Sequence, residues 1–178
     1  MSGWFLRAMF VLAVSLVGCA SHVASVDSVG PLWERPWVDE QGTVRRLADF
    51  RGRPIALSMV YRGCQVRCPH TVARLKRLAA SRRLDVVLVT LDPVHDTPAK
   101  LRSFKDAQGV DSASWHLLRG EPALTAHLAR FLSVHPAQDD AHLDHEVRIA
   151  MVDARGVVMR RFDDWSFSDE DALSAVGF

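Results

Sequence analysis

What this sequence lacks narrows it first. No tract of like charge runs through it, and 22 Lys+Arg against 21 Asp+Glu leave a formal net charge of +1, so nothing marks nucleic acid as a partner. It has no internal repeat and no low-complexity segment. With 48% hydrophobic and 24% charged residues, the composition is that of a globular protein and not of a disordered one. The N-terminal apolar stretch, residues 8–18, is 11 residues long, well short of the roughly 20 that cross a bilayer. Cysteine is scarce, with three in 178 residues, and the chain is long enough for one domain with a proper core.

An odd number of cysteines resolves at the N-terminus. Arg7 precedes the apolar stretch, which ends in Leu16-Val17-Gly18-Cys19. This layout is that of an exported leader, and its end resembles a bacterial lipobox. The resemblance implies that Cys19 is lipidated and becomes the first residue of the mature chain. Residues 1–18 are then a lipoprotein signal peptide, and the small and polar residues 19–31 a lipidated tether. Residues 32–178 form the domain. The expected location is the bacterial cell envelope, facing the periplasm and held to the membrane by the lipid anchor. That compartment lets disulfides persist, and only Cys64 and Cys68 remain as thiols.

Those two thiols lie in Tyr61-Arg62-Gly63-Cys64-Gln65-Val66-Arg67-Cys68-Pro69-His70, between an apolar run, Ile55 to Val60, and a basic helical segment, Thr71 to Leu78. A strand therefore turns into a helix at the cysteines. Two cysteines four apart on one helical turn face the same side, close enough to form a disulfide or to grip one metal ion together. A helix N-terminus favours negative charge and should lower the pKa of at least the first thiol. Arg62 and Arg67 flank the pair and should act in the same direction.

The rest of the chain alternates strand and helix. Trp37-Val38 and Val44 to Leu47 flank the turn Asp39-Glu40-Gln41-Gly42 and predict a hairpin. Leu84 to Leu91 reads as a strand buried on both faces. Asp96 or Thr97 caps a helix with Pro98 in its first turn and Gly109 as terminator. Trp115 to Leu118 is a short strand, and 121–134 a helix. Residues 136–144 are a polar, acidic loop. Val147 to Val152 and Val157 to Phe162 predict a hairpin around Asp153-Ala154-Arg155-Gly156, and Ser168 begins a short helix. This order is that of a thioredoxin-like α/β fold with a central mixed sheet flanked by helices and an N-terminal hairpin. Sites in such folds sit at the carboxyl ends of strands.

Three motifs resemble the Sco/SenC family, thioredoxin-fold copper chaperones and thiol oxidoreductases of oxidase assembly, across roughly residues 32–165. They are the C-x-x-x-C-P of Cys64, Cys68 and Pro69, the stretch Leu91-Asp92-Pro93-Val94-His95-Asp96-Thr97-Pro98, and Asp144-His145 followed by an apolar strand and Gly156. The chain departs from the family pattern in three places. Gln65-Val66 replace a usual proline and aspartate, Arg62 stands where threonine is common, and His95 replaces an arginine. The resemblance implies copper, as Cu(I) or Cu(II), held by Cys64, Cys68 and His145. It also implies transfer to the copper-receiving subunit of cytochrome c oxidase or exchange with other copper or thiol proteins. Two thiolates and an imidazole suit Cu(I), and a further oxygen or water would extend the set to Cu(II). His142 is a competing ligand, Asp144 would stand behind the ligands, and a structural zinc site lacks a fourth ligand at fitting spacing.

The alternative is an enzyme, a thiol:disulfide oxidoreductase with Cys64 and Cys68 as its catalytic pair. It would reduce the cysteines of the oxidase subunit or of other exported proteins. A thiol peroxidase fits less well, because Arg62-Gly63-Cys64 lacks the threonine expected before a peroxidatic cysteine. The bland reading of the pair is a structural disulfide. Of the other histidines, His70 faces solvent or stacks on its helix, His95 holds the Asp92 to Pro98 turn, and His22, His116, His127 and His135 are structural or surface residues. Asp92 and Asp96 order their loop. Arg74, Lys76, Arg77, Arg82 and Arg83 read as a solvated helix face, with docking of an acidic partner or a place near anionic lipid as the alternatives.

Overall fold

Ile55–Val60 and Asp85–Thr90 are buried at every position, and in the computed structural model of the chain they lie side by side as parallel strands inside a seven-stranded sheet. The structure describes residues 30–62, 67–80, 83–110, 113–134 and 148–178. In chain order the elements are α1 (Gly30–Trp33), β1 (Pro36–Asp39), β2 (Val44–Arg46), a 3-10 turn (Leu47–Phe50), β3 (Ile55–Val60), α2 (Arg67–Ala79), β4 (Asp85–Thr90), α3 (Pro98–Gln108), β5 (Trp115–Arg119), α4 (Pro122–Phe131), β6 (Ile149–Val152), β7 (Val158–Phe162) and α5 (Asp169–Ser174). The sheet runs β2-β1-β5-β4-β3-β6-β7. Its three inner strands β3, β4 and β5 are parallel, and the remaining pairings are antiparallel.

Two apolar layers follow from strand alternation. Leu57, Val87, Val89 and Leu118 face one side and pack with Leu32 and Trp33 of α1 and Leu124 and Leu128 of α4. Ala56, Val86, Leu88 and Leu117 face the other and pack with Val72 and Leu75 of α2, Leu101 of α3 and Ala172 of α5. Burial of each large side chain contributes about 1.5–3 kcal/mol, so the sheet is held from both faces. A polar bridge joins its edge to this core. The carboxylate of Glu40, just past β1, pairs with Lys105 of α3 and accepts the Leu117 amide at 3.0 Å, while Lys105 Nζ donates to the Trp115 carbonyl at 2.6 Å. Glu40 and Lys105 are both buried, so each satisfies a charge that would otherwise be costly.

The helix signals in the sequence hold in detail. Thr97 caps α3, its hydroxyl accepting from the Lys100 amide, with Pro98 at the first helical position, and Gly109 ends it in the left-handed region at φ 58°. Ser168 and Asp171 form a reciprocal capping box on α5. The helix expected over 121–134 is shorter, ending at Phe131. Ser133 takes a positive φ of 57°, and the amides of Ser133 and Val134 turn back to the carbonyls of Arg130 and Ala129. That is a Schellman ending with serine at the usual glycine position. Leu132 and Val134 stay buried, so the apolar pattern outlasts the helix.

Gly156 has a reason independent of any site. Its φ is 91°, and a Cβ there would lie 2.6 Å from the Trp33 ring. Trp33 Nε1 also donates to the Gly156 carbonyl at 3.0 Å. The β6–β7 turn is therefore shaped to receive α1. Asp153 organises the same turn. Burial pushes its carboxyl up, but the amides of Val157 and Arg155 and the Arg155 guanidinium outweigh that and hold it below the usual value.

Candidate thiol and metal site

Because β3 and β4 pair in parallel with Val60 opposite Thr90, both strands end at the same level. The Leu91 amide donates to the Val60 carbonyl at 2.8 Å and continues the ladder one step further. The segment after β3, which leads into the thiols, and the Asp92 to Pro98 turn after β4 are thereby set side by side at the carboxyl edge of the sheet. This edge is where open α/β sheets carry their ligands.

Cys68 is the second residue of α2 and only 2% exposed. Its sulfur accepts the Tyr61 amide at 3.4 Å, which ties the first turn of α2 back to the end of β3. Pro69 follows within that first turn, where the missing N–H has no partner to lose. Thr71 and His70 belong to the same turn. Thr71 is buried and its hydroxyl accepts Trp165 Nε1 at 3.2 Å. His70 is exposed, with its ring 5.5 Å from that of Trp165.

The neighbouring turn is densely bonded. Asp96, 2% exposed, accepts Arg62 Nε at 2.8 Å on one carboxylate oxygen and Thr90 Oγ1 at 2.5 Å on the other. Thr90 Oγ1 in turn accepts the Asp92 amide at 3.0 Å. His95 Nδ1 lies 2.9 Å from Asp92 Oδ1, Lys100 Nζ donates to the His95 carbonyl at 2.9 Å, and Arg119 donates to the Pro93 carbonyl at 2.7 Å. His95 and both aspartates thus order their turn as expected. Arg62 requires a correction. It flanks the thiols in sequence, but its guanidinium is committed to Asp96, so a buried carboxylate offsets much of the positive charge counted for them.

The basic face of α2 is corrected at one position, while Lys76 and Arg77 are exposed as expected and Arg82 lies outside the described residues. Arg74 is 3% exposed, not solvated. It pairs with Asp169, donates to the Phe167 carbonyl at 2.6 Å and lies over the Phe167 ring at 4.2 Å. Lys76 reaches the Gln108 carbonyl, and Arg83 lies over the Phe178 ring. The segment 163–169 therefore covers the first turns of the thiol helix. The sequence carries only a faint signal of this, two aromatics, Trp165 and Phe167, in an otherwise polar stretch.

Cys19, Cys64, His142, Asp144 and His145 lie outside the described residues. Of the three expected metal ligands, the structure places Cys68. Among the described residues no three His, Cys, Asp or Glu side chains gather as a metal cluster, and no helix is long and apolar enough to cross a membrane.

A family model described as SCO1/SenC matches residues 34–176. A comparison with curated proteins finds no significant match. Among solved structures, Bradyrhizobium japonicum ScoI with copper bound is similar at 20% identity and a TM-score of 0.64, covering 79% of this chain and 94% of that one. A SCO1/SenC family lipoprotein from Bacillus anthracis str. Ames is similar at 21% identity and 0.66, covering 80% and 92%. BsSco, a member of the Sco family of cytochrome c oxidase assembly proteins in which a disulfide switch was identified, is similar at 18% identity and 0.63, covering 78% and 87%. At these identities the likeness establishes the shared fold.

Proposed function

Since this chain belongs to the SCO1/SenC family, we propose that it is a lipid-tethered copper carrier of the bacterial cell envelope, receiving copper on Cys64, Cys68 and His145 and passing it to the copper-receiving subunit of cytochrome c oxidase. Residues 1–18 direct export, acylated Cys19 anchors the chain, and residues 19–31 link the anchor to the domain.

The observation that carries this reading is the placement of Cys68. Its sulfur sits at the first turn of α2, beside the carboxyl end of β3, held by the Tyr61 amide. Cys64 is four residues earlier, on the segment joining those two elements. A soft donor pair there suits Cu(I), and binding as thiolates releases the thiol protons. Copper is cargo in this scheme, so the ligands have to release it as well as hold it. The relatives found with copper, with a lipoprotein assignment and in oxidase assembly support the same reading.

A second reading, thiol:disulfide oxidoreductase, draws on the burial of Cys68. A 2%-exposed thiol following a partner four residues earlier is the arrangement of a resolving cysteine behind an attacking one. The disulfide switch identified in BsSco supports it.

Titration of the reduced full-length chain in detergent with Cu(I), against a competing chelator, separates the two. Near-stoichiometric uptake is expected, weakened in His145→Ala by at least the 10- to 100-fold that even outer-shell partners are worth, as an order of magnitude. Unchanged affinity in that variant removes His145 from the ligand set. Reversible disulfide exchange in metal-free buffer, without Cu(I) uptake, favours the oxidoreductase.

A further inference from the structure

Most arginines in the described chain are spoken for. Arg45 pairs with Asp39, Arg51 with Glu34, Arg62 with Asp96, Arg74 with Asp169, Arg148 with Asp163 and Arg155 with Asp153. Arg35 and Arg130 are exceptions, since among the described residues neither guanidinium makes a hydrogen bond or ion pair. Both line one groove of about 340 Å³ between α1 and α4, together with His127, Pro31, Ala123 and Leu124. Among the described residues no carboxylate lines it. Arg77 and Arg102, on α2 and α3 over the other face of the sheet, also lack such partners, but neither lines a cavity with another cation.

The groove also lies where the chain enters the domain. Pro31 is the second residue of α1, and Cys19 is 30 − 19 = 11 residues before Gly30. Eleven residues extend at most about 36–40 Å, so an acyl chain on Cys19 keeps α1 within that distance of the bilayer. Trp33 locks α1 to the β6–β7 turn through Gly156. That turn lies beyond the Ile55–Val152 pair, at the amino end of β3, whereas Cys68 belongs to the carboxyl end. A strand of six residues separates them, about 20 Å.

We propose that the α1–α4 face, through Arg35, Arg130 and His127, docks on the anionic phospholipid surface of the membrane that holds the anchor. This rests on the reading of Cys19 as lipidated. Unpaired guanidiniums fit phosphate oxygens, and tethering supplies the high local concentration that two cations need to act. Docked this way, the domain turns the sheet face covered by α1 and α4 to the headgroups and leaves the opposite face, with α2 and its thiol, open to a soluble partner surface.

The test uses the full lipidated chain on vesicles of phosphatidylglycerol with phosphatidylcholine and of phosphatidylcholine alone, read by carbene footprinting of residues 31–35 and 122–131. Protection is expected on the anionic vesicles only. Salt at about 1 M should reverse it, where the screening length falls to about 3 Å. At about fivefold per cation near an anionic surface, Arg35→Gln/Arg130→Gln should weaken docking about thirtyfold without releasing the chain from the vesicle. Arg77→Gln/Arg102→Gln should leave docking unchanged. Retention with equal protection on both vesicles keeps the anchor and removes the docking. Protection already present in detergent without lipid means that the chain's own residues 20–29 fill the groove, and likewise overturns it. Failure to partition into either vesicle removes the anchor and the proposal with it.

Discussion

Asp96 spends both carboxylate oxygens on the site, one on Arg62 before the thiols and one on Thr90 at the end of β4. Truncation by Asp96→Ala leaves the Thr90 hydroxyl buried without its acceptor and releases Arg62. A loss of about 2–4 kcal/mol is expected from urea unfolding. Arg62→Gln should cost less, since that side chain is 42% exposed and solvent screens much of the pair. At Gly156, alanine must adopt φ near 91° and place its Cβ 2.6 Å from the Trp33 ring. Gly156→Ala should therefore cost at least about 1–2 kcal/mol and shift Trp33 fluorescence as the ring is displaced. His116 packs on Phe50, ring centroids 4.7 Å apart. Burial lowers its pKa below 6.5, partly opposed by Asp85 and Glu40 and aided by Lys105 and Arg45. The unfolded chain then takes up the proton first as pH falls, so stability should decline as pH drops below about 6.5. His116→Gln should flatten that decline in urea midpoints measured between about pH 7.5 and 5.

At the scale of elements, α5 and its leading segment act as a clasp on the thiol helix. Arg74 reaches from α2 to the Phe167 carbonyl and to Asp169, and Trp165 reaches back to Thr71. Phe162 of β7 stacks on Phe167, ring centroids 3.9 Å apart. Arg74→Met keeps the aliphatic stem and removes the charge, leaving Asp169, half-exposed, to find water. A cost of about 1–3 kcal/mol is expected. It should appear in hydrogen exchange as lost protection over 163–178 while β3 and β4 stay protected. Uniform loss across the sheet would mean that the clasp is part of the global folding unit and not a separable cover.

For the whole molecule, the proposed chemistry couples metal and redox state through the same sulfurs. Oxidation to a Cys64–Cys68 disulfide consumes both thiolate donors, so the oxidised chain should take up no Cu(I), and reduction should restore uptake. Copper bound equally by the oxidised form would place the ligands elsewhere. The proposed docking face, α1 and α4, and the thiol helix α2 cover opposite faces of the sheet, which would let one chain be held at a membrane and still present its sulfurs outward.

Local chemistry in the chain determined the elements themselves. The apolar runs of β3 and β4, the Thr97–Pro98 start and Gly109 stop of α3, and the Ser168 box of α5 are each set by neighbours a few residues away, so they are legible in order along the sequence. The motif spacing likewise marked Cys64, Cys68, His95, Asp96 and Gly156 as residues of consequence. Only the folded chain decided how distant groups use one another. Arg62 is taken up by Asp96, Arg74 is buried under Phe167, and Gly156 is shaped by Trp33. These contacts span 34 to 123 positions, and no local propensity encodes them, because which charges and rings meet depends on strand order and on which face of the sheet each helix covers.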